Sequence, residues 1–250
     1  MKPILPGVFQ ITRPPGVNMY LIDDPGGLTL IDTSLASAVQ GVLADLRRMG
    51  RQPSDLRRIL ITHAHPDHVG GLPELKRITG AEVIVPQIER PAVEGKVPVP
   101  RPAAGFRMPE MWLKPAPVDR TVGDEDTLDV LGGLVAVFTP GHSPGHMAYW
   151  QPERRLLFCG DALFNVVGLS LPPAFLTVDV AENRRSVAKI AALEPEIVCF
   201  GHGPVLRGAA MKLHAFAGKV APPAGLMRGA GGVGPHPRPL LKGPVAHCRF

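Results

Sequence analysis

At 250 residues, 45% hydrophobic and 20% charged, the chain is long enough to bury one large core. No apolar run reaches the roughly 18 residues that a membrane helix needs. The first residues lack a basic stretch followed by an apolar one, so a cytoplasmic protein with no membrane partner is expected. The net charge of +5 comes mainly from Arg228, Arg238, Lys242 and Arg249, which stand without an acid in the last thirty residues. The body therefore lacks the basic footprint of a nucleic-acid partner, and none is expected.

In chain order, short β-like runs come first, at 7–13, 18–23 and 28–32. A helix is predicted from about Ser37 to a stop at Gly50. A buried strand over 56–61, a short helix within 69–80 and a strand over 81–86 follow. Residues 120–160 read as four strands (TLDVL, LVAVFT, HMAYW, RLLFC). A helix over about 181–193, a strand over 196–200 and a last helix over about 206–220 complete the pattern. Strands clustered early and late, with helices interspersed, predict a layered α/β or α+β domain over 1–220 and not an all-parallel sheet. Cys159 and Cys199 lie in apolar runs and Cys248 near the end; they read as reduced thiols.

Two segments stand apart. Residues 87–119 hold seven prolines along with Phe106, Met108, Met111 and Trp112. They read as a long loop, a candidate lid. Residues 221–250 are Gly/Pro-rich without an apolar period and read as a disordered tail.

The chemistry concentrates at the ends of apolar runs. RILI runs into His63, His65, Asp67 and His68; LVAVFTPG into His142; RLLFCG into Asp161; EIVCFG into His202. Ligands at strand ends can converge on one rim of a sheet while the strands hold them rigidly. Five histidines and two aspartates exceed the four ligands of one tetrahedral zinc. They suit two divalent ions sharing a carboxylate and a water, with zinc expected and iron or manganese also compatible. His146 is expected to hydrogen-bond within its loop or support a ligand, and Asp32 to orient a ligand histidine. His214, His236 and His247 carry no expected function.

The motifs "THAHPDHVGG", "TPGHSPGH", "FCGDALF" and "FGHGPV" resemble the successive motifs of the metallo-β-lactamase-fold hydrolases, over about residues 5–220. The resemblance implies an α+β fold, a four-layer αββα sandwich with metals at one edge between the sheets. It implies that His63, His65 and His142 hold one metal and Asp67, His68 and His202 the other, with Asp161 bridging. Asp67, His68 and Asp161 are then catalytic as well as ligating.

The expected reaction is attack by a metal-bridging hydroxide on an ester-like carbonyl of a small, apolar substrate: a thioester, lactone or carboxyl ester. No G-x-S-x-G elbow supplies a serine alternative. "GDALF" is similar to glyoxalase II, which carries a further helical, glutathione-binding domain; here one short helix and the Gly/Pro tail follow His202. Acyl-homoserine-lactone hydrolases place a tyrosine where Phe164 stands, and phenylalanine has no hydroxyl to bond a carbonyl. The alternatives are a metal-dependent nuclease or phosphodiesterase and a mononuclear-iron persulfide dioxygenase of the same fold. Apolar residues of 87–119 and of 163–178 (Leu169, Leu171, Phe175) are candidates to cover the substrate.

Overall fold

A computed structural model describes residues 1–100 and 114–221. The first half builds a seven-stranded sheet in sequence order from β1 (Lys2–Leu5), β2 (Val8–Thr12), β3 (Asn18–Asp24), β4 (Gly27–Ile31), β5 (Leu56–Leu60), β6 (Glu82–Pro86) and β7 (Arg120–Val122). The first four pair antiparallel; β4 to β7 pair parallel. The parallel crossovers carry α1 (Val39–Arg48), α2 (Pro66–Val69), α3 (Leu72–Thr79) and α4 (Arg90–Val93). The second half builds a six-stranded sheet from β8 (Thr127–Leu128), β9 (Leu134–Phe138), β10 (Met147–Gln151), β11 (Leu156–Gly160), β12 (Ile197–Phe200) and β13 (Leu206–Arg207), with α5 (Val180–Ala192) and α6 (Ala209–Val220).

The layering follows from side-chain alternation along each strand. In β10 and β11, Met147, Tyr149, Leu156 and Phe158 face the other sheet, where they meet Tyr20, Ile22, Ile31, Leu60 and Ile84. Ala148, Trp150, Leu157 and Cys159 face outward against Val187, Ile190 and Leu213 of α5 and α6. Leu21, Leu30, Ile59 and Val83 of the first sheet pack outward on Val42, Leu46, Leu72 and Leu75 of α1 and α3. Both faces of both sheets are covered, which is why these strands read as near-continuous apolar runs. The result is the predicted αββα sandwich.

Several boundaries differ from the sequence reading. The short strand β1, which contains Pro3, has no counterpart in it. The start of the last predicted helix is β13, with Gly208 in a left-handed conformation opening α6 at Ala209. The 87–119 segment is not one loop: α4 begins at Arg90 with Pro91 in its first turn, and Ala92, Val93, Ala116 and Val118 are buried in the core beneath the first sheet. Phe106, Met108, Met111, Trp112, the tail beyond residue 221 and Cys248 lie outside the described residues. Cys159 and Cys199 are buried and free. Among the described residues no helix is long and apolar enough to cross a membrane.

Candidate metal centre

All seven predicted residues come together where the C-terminal ends of β5, β9, β11 and β12 meet. The first sheet supplies His63, His65, Asp67 and His68 from the segment after β5. The second supplies His142, Asp161 and His202. Pro66 at the first position of α2 turns the chain immediately after His65, so the two ends of the histidine motif face different neighbours. The glycines are required by close approach. A Cβ at Gly201 would lie 2.0 Å from Asp161 Oδ1, and at Gly141, whose φ is +131°, 2.2 Å from the Asn183 backbone nitrogen.

Three rings form the first cluster. His65 Nδ1 lies 3.0 Å from His63 Nε2 and 2.9 Å from His142 Nε2. The partners of His63 fix its tautomer. Its Nδ1–H donates to Thr62 Oγ1 at 3.0 Å, and that hydroxyl donates to Asp32 Oδ2 at 2.8 Å. The Nε2 lone pair of His63 therefore points into the cluster. Burial pushes His63 and His142 well below the ordinary imidazole pKa and His65 down to about 4, so all three are neutral near pH 7, the form that binds metal.

The second cluster is charged. His68 Nε2 lies 3.4 Å from Asp161 Oδ1 and 3.8 Å from Asp67 Oδ2; His202 Nε2 lies 3.3 Å from Asp67 Oδ2 and 3.2 Å from Asp161 Oδ2. Burial opposes charge on His68, but Asp161, Asp32 and Asp67 outweigh it and hold its pKa well above the ordinary value. Against the same burial effect, Asp161 and Asp67 raise His202 to about 10. Burial likewise opposes ionisation of Asp67, yet His68 and His202 hold it at about 2.

Asp161 joins the two clusters. Its Oδ2 is 3.4 Å from His142 Nε2 as well as 3.2 Å from His202 Nε2. His68 Nε2 and Asp161 Oδ1 are buried and have no hydrogen-bond partner among the described residues. Buried polar atoms left unmatched this way normally have a partner of another kind. Imidazole nitrogens and carboxylate oxygens converging within 4.8 Å are a donor set that fits divalent cations.

Asp32 and His146, expected to support the ligands, make hydrogen bonds to the cluster. Asp32 accepts from His68 Nδ1 at 2.8 Å and from the Thr62 backbone N–H at 2.8 Å. His146 Nε2 accepts from the Asp161 backbone N–H at 3.0 Å while its Nδ1 meets Thr139 Oγ1 at 2.8 Å. His214 lies apart on α6 beside Glu194; His236 and His247 lie outside the described residues.

Three supports were missed in the sequence. Gly16 offers its carbonyl to His202 Nδ1 at 2.8 Å, Thr139 holds His146, and Glu89 ties together the loops of both sheets. No spacing marks Gly16 or Glu89, because each acts through contacts between segments far apart in the chain, and Thr139 meets His146 across its own loop. Phe164 lies beside the second cluster, its ring centroid 4.5 Å from that of His202. Leu169 and Leu171 pack against the outer core, whereas Val167 and Phe175 are exposed.

The sequence profile described as the metallo-beta-lactamase superfamily matches residues 12–202. The chain belongs to the metallo-beta-lactamase superfamily. Within this superfamily it is similar to the uncharacterized protein YobT of Bacillus subtilis (strain 168), 30% identical over 217 residues, covering 80% of this chain and 90% of the relative. It is 36% identical over 203 residues to a hydroxyacylglutathione hydrolase of Methylobacterium sp. (strain 4-46), covering 78% of this chain but 66% of that enzyme. Among solved structures, a metallo-beta-lactamase family protein from Thermus thermophilus superposes with a TM-score of 0.70 at 23% identity, covering 86% of this chain and 79% of that one, a likeness of fold.

Proposed function

We propose that the chain is a hydrolase that holds two divalent ions, with zinc the expected metal, and cleaves an ester-like carbonyl bond of a small, apolar molecule. The observation that carries this reading is Asp161, whose Oδ2 stands within 3.4 Å of a nitrogen from each cluster. His63, His65 and His142 would hold one ion, Asp67, His68 and His202 the other, and Asp161 both. Such a pair supplies Lewis acidity and a water acidic enough to ionise near neutral pH.

The residues around it prepare that chemistry. Asp32 and Thr62 keep the ring protons of His68 and His63 on Nδ1, which leaves each Nε2 free to ligate. His146 fixes the Asp161 backbone. Asp67, with a third of its side chain exposed, is the carboxylate that incoming substrate and water meet first, and it is placed to orient the attacking water. Phe164 covers His202 with an apolar ring and favours a substrate with an apolar group beside the scissile carbonyl. The Methylobacterium relative, named for hydrolysing a glutathione thioester, supports carbonyl chemistry.

The test is a substrate panel with metal analysis. Purified protein is assayed on thioesters, lactones, aryl esters and phosphodiesters while bound metal is counted. Two zinc ions per chain with carbonyl-ester turnover is the expected result. Phosphodiester cleavage alone would replace this reading with a nuclease, and one iron with oxygen consumption would replace it with a dioxygenase.

A further inference from the structure

Glu89 is a carboxylate that the proposed reaction does not use, yet it is only 1% exposed and sits beside the metal centre. Its three partners are neutral donors from two distant segments. The Ala64 backbone N–H donates to Oε2 at 3.0 Å; Ser143 Oγ and the Gly145 backbone N–H donate to Oε1 at 2.8 and 2.7 Å.

The positions of those donors are informative. Ala64 lies between His63 and His65 on the segment after β5 of the first sheet. Ser143 follows His142, and Gly145 precedes His146, in the loop after β9 of the second sheet. One carboxylate thus spans the gap between the sheets at the point where His65 Nδ1 and His142 Nε2 approach to 2.9 Å. The approach is close enough that a Cβ at Gly145 would lie 2.8 Å from Glu89 Oε1. A carboxylate buried so deeply is costly unless its oxygens are matched by donors, and here three donors match them. The second cluster is held by other means, through Asp32 on His68 and the Gly16 carbonyl on His202.

We infer that Glu89 is a positioning residue that sets the metal affinity of the His63–His65–His142 cluster without touching the ion, and leaves the His68–His202 cluster unaffected. This rests on the two-ion reading above, so the experiment separates the two. Zinc affinity is measured by competition with a chelator, starting from metal-free protein, in the intact chain and in two single-site backgrounds. His202→Ala isolates the three-histidine cluster and His142→Ala isolates the other. Fewer than two ions in the intact chain would overturn the two-ion reading, and this inference with it. If two bind, E89Q decides the inference. The amide keeps the shape but brings its own N–H groups, so at least one of the three donors loses its acceptor.

The expected result is affinity weakened about 10- to 100-fold by E89Q in the His202→Ala background and changed less than about twofold in the His142→Ala background. Equal weakening in both backgrounds would reduce Glu89 to a general structural role, and no change in either would remove it from the site; each overturns the inference. Should E89Q fail to fold, Ser143→Ala removes one donor while keeping the carboxylate. A smaller loss confined to the His202→Ala background is then expected, and unchanged affinity there overturns the inference.

Discussion

His68 donates from Nδ1 to Asp32 Oδ2 over 2.8 Å, and this one bond decides which nitrogen of His68 faces Asp161. Asp32 is held for the task in a left-handed conformation, φ 60°, that non-glycine residues seldom adopt. It also accepts from the Thr62 hydroxyl that orients His63. Removing its carboxylate should therefore loosen a histidine in each cluster. Asp32→Ala should weaken metal binding about 10- to 100-fold. Metal content after dialysis against a weak chelator checks this; full retention would contradict it.

Asp161 touches both clusters whereas His202 touches one. Asp161→Ala should lower metal content well below that of His202→Ala, which should retain about one ion per chain, and carbonyl-ester turnover should vanish in the former. Atomic absorption on the two proteins, purified side by side, measures the difference. Equal metal content in both would show that Asp161 does not bridge.

Acid should destabilise the metal-free protein. Unfolded, each buried imidazole takes up a proton as pH falls through about 6.5. Folded, burial keeps His65 neutral to about 4 and His146 to about 3, and holds His63 and His142 low as well. Between those limits the unfolded state binds more protons, and each such group costs up to about 1.4 kcal/mol per pH unit. The raised groups His68 and His202 do not oppose this loss, because their stabilisation is already complete below the ordinary imidazole pKa. Urea midpoints for metal-free protein should fall steadily from pH 6.5 to pH 4; a flat profile would refute the assigned neutral state.

Gly141→Ala places a methyl group against the Asn183 backbone from a φ of +131°, which an L residue rarely adopts. The Gly141 carbonyl also accepts from the Asp179 N–H at the start of α5, so the strain reaches both the helix and the His142 loop. A loss of about 3 kcal/mol or more is expected by thermal or chemical denaturation. A loss under about 1 kcal/mol would mean that the loop yields easily.

Much of the site is legible in the chain itself. The strand-end positions of His63, His65, Asp67, His68, His142, Asp161 and His202 are a local pattern: a near-continuous apolar run that ends in donors, with a glycine directly before His142, Asp161 and His202. The sandwich is legible for a related reason, since strands buried on both faces leave long apolar runs in the chain. The 87–119 segment misleads because proline marks a turn equally well at a helix start, and the burial of Val93 and Val118 depends on neighbours the segment itself does not reveal.

What the sequence by itself determined is the set of donors and the elements that carry them, because strand alternation and sharp turns are properties of adjacent residues. What only the tertiary structure decided is how near the donors stand to one another and what holds them. The placement of Asp161 between two clusters, Asp32 on His68, the Gly16 carbonyl on His202 and Glu89 across both sheets are contacts between residues tens to nearly two hundred positions apart. Such contacts depend on how the two sheets pack, and no spacing along the chain records that distance.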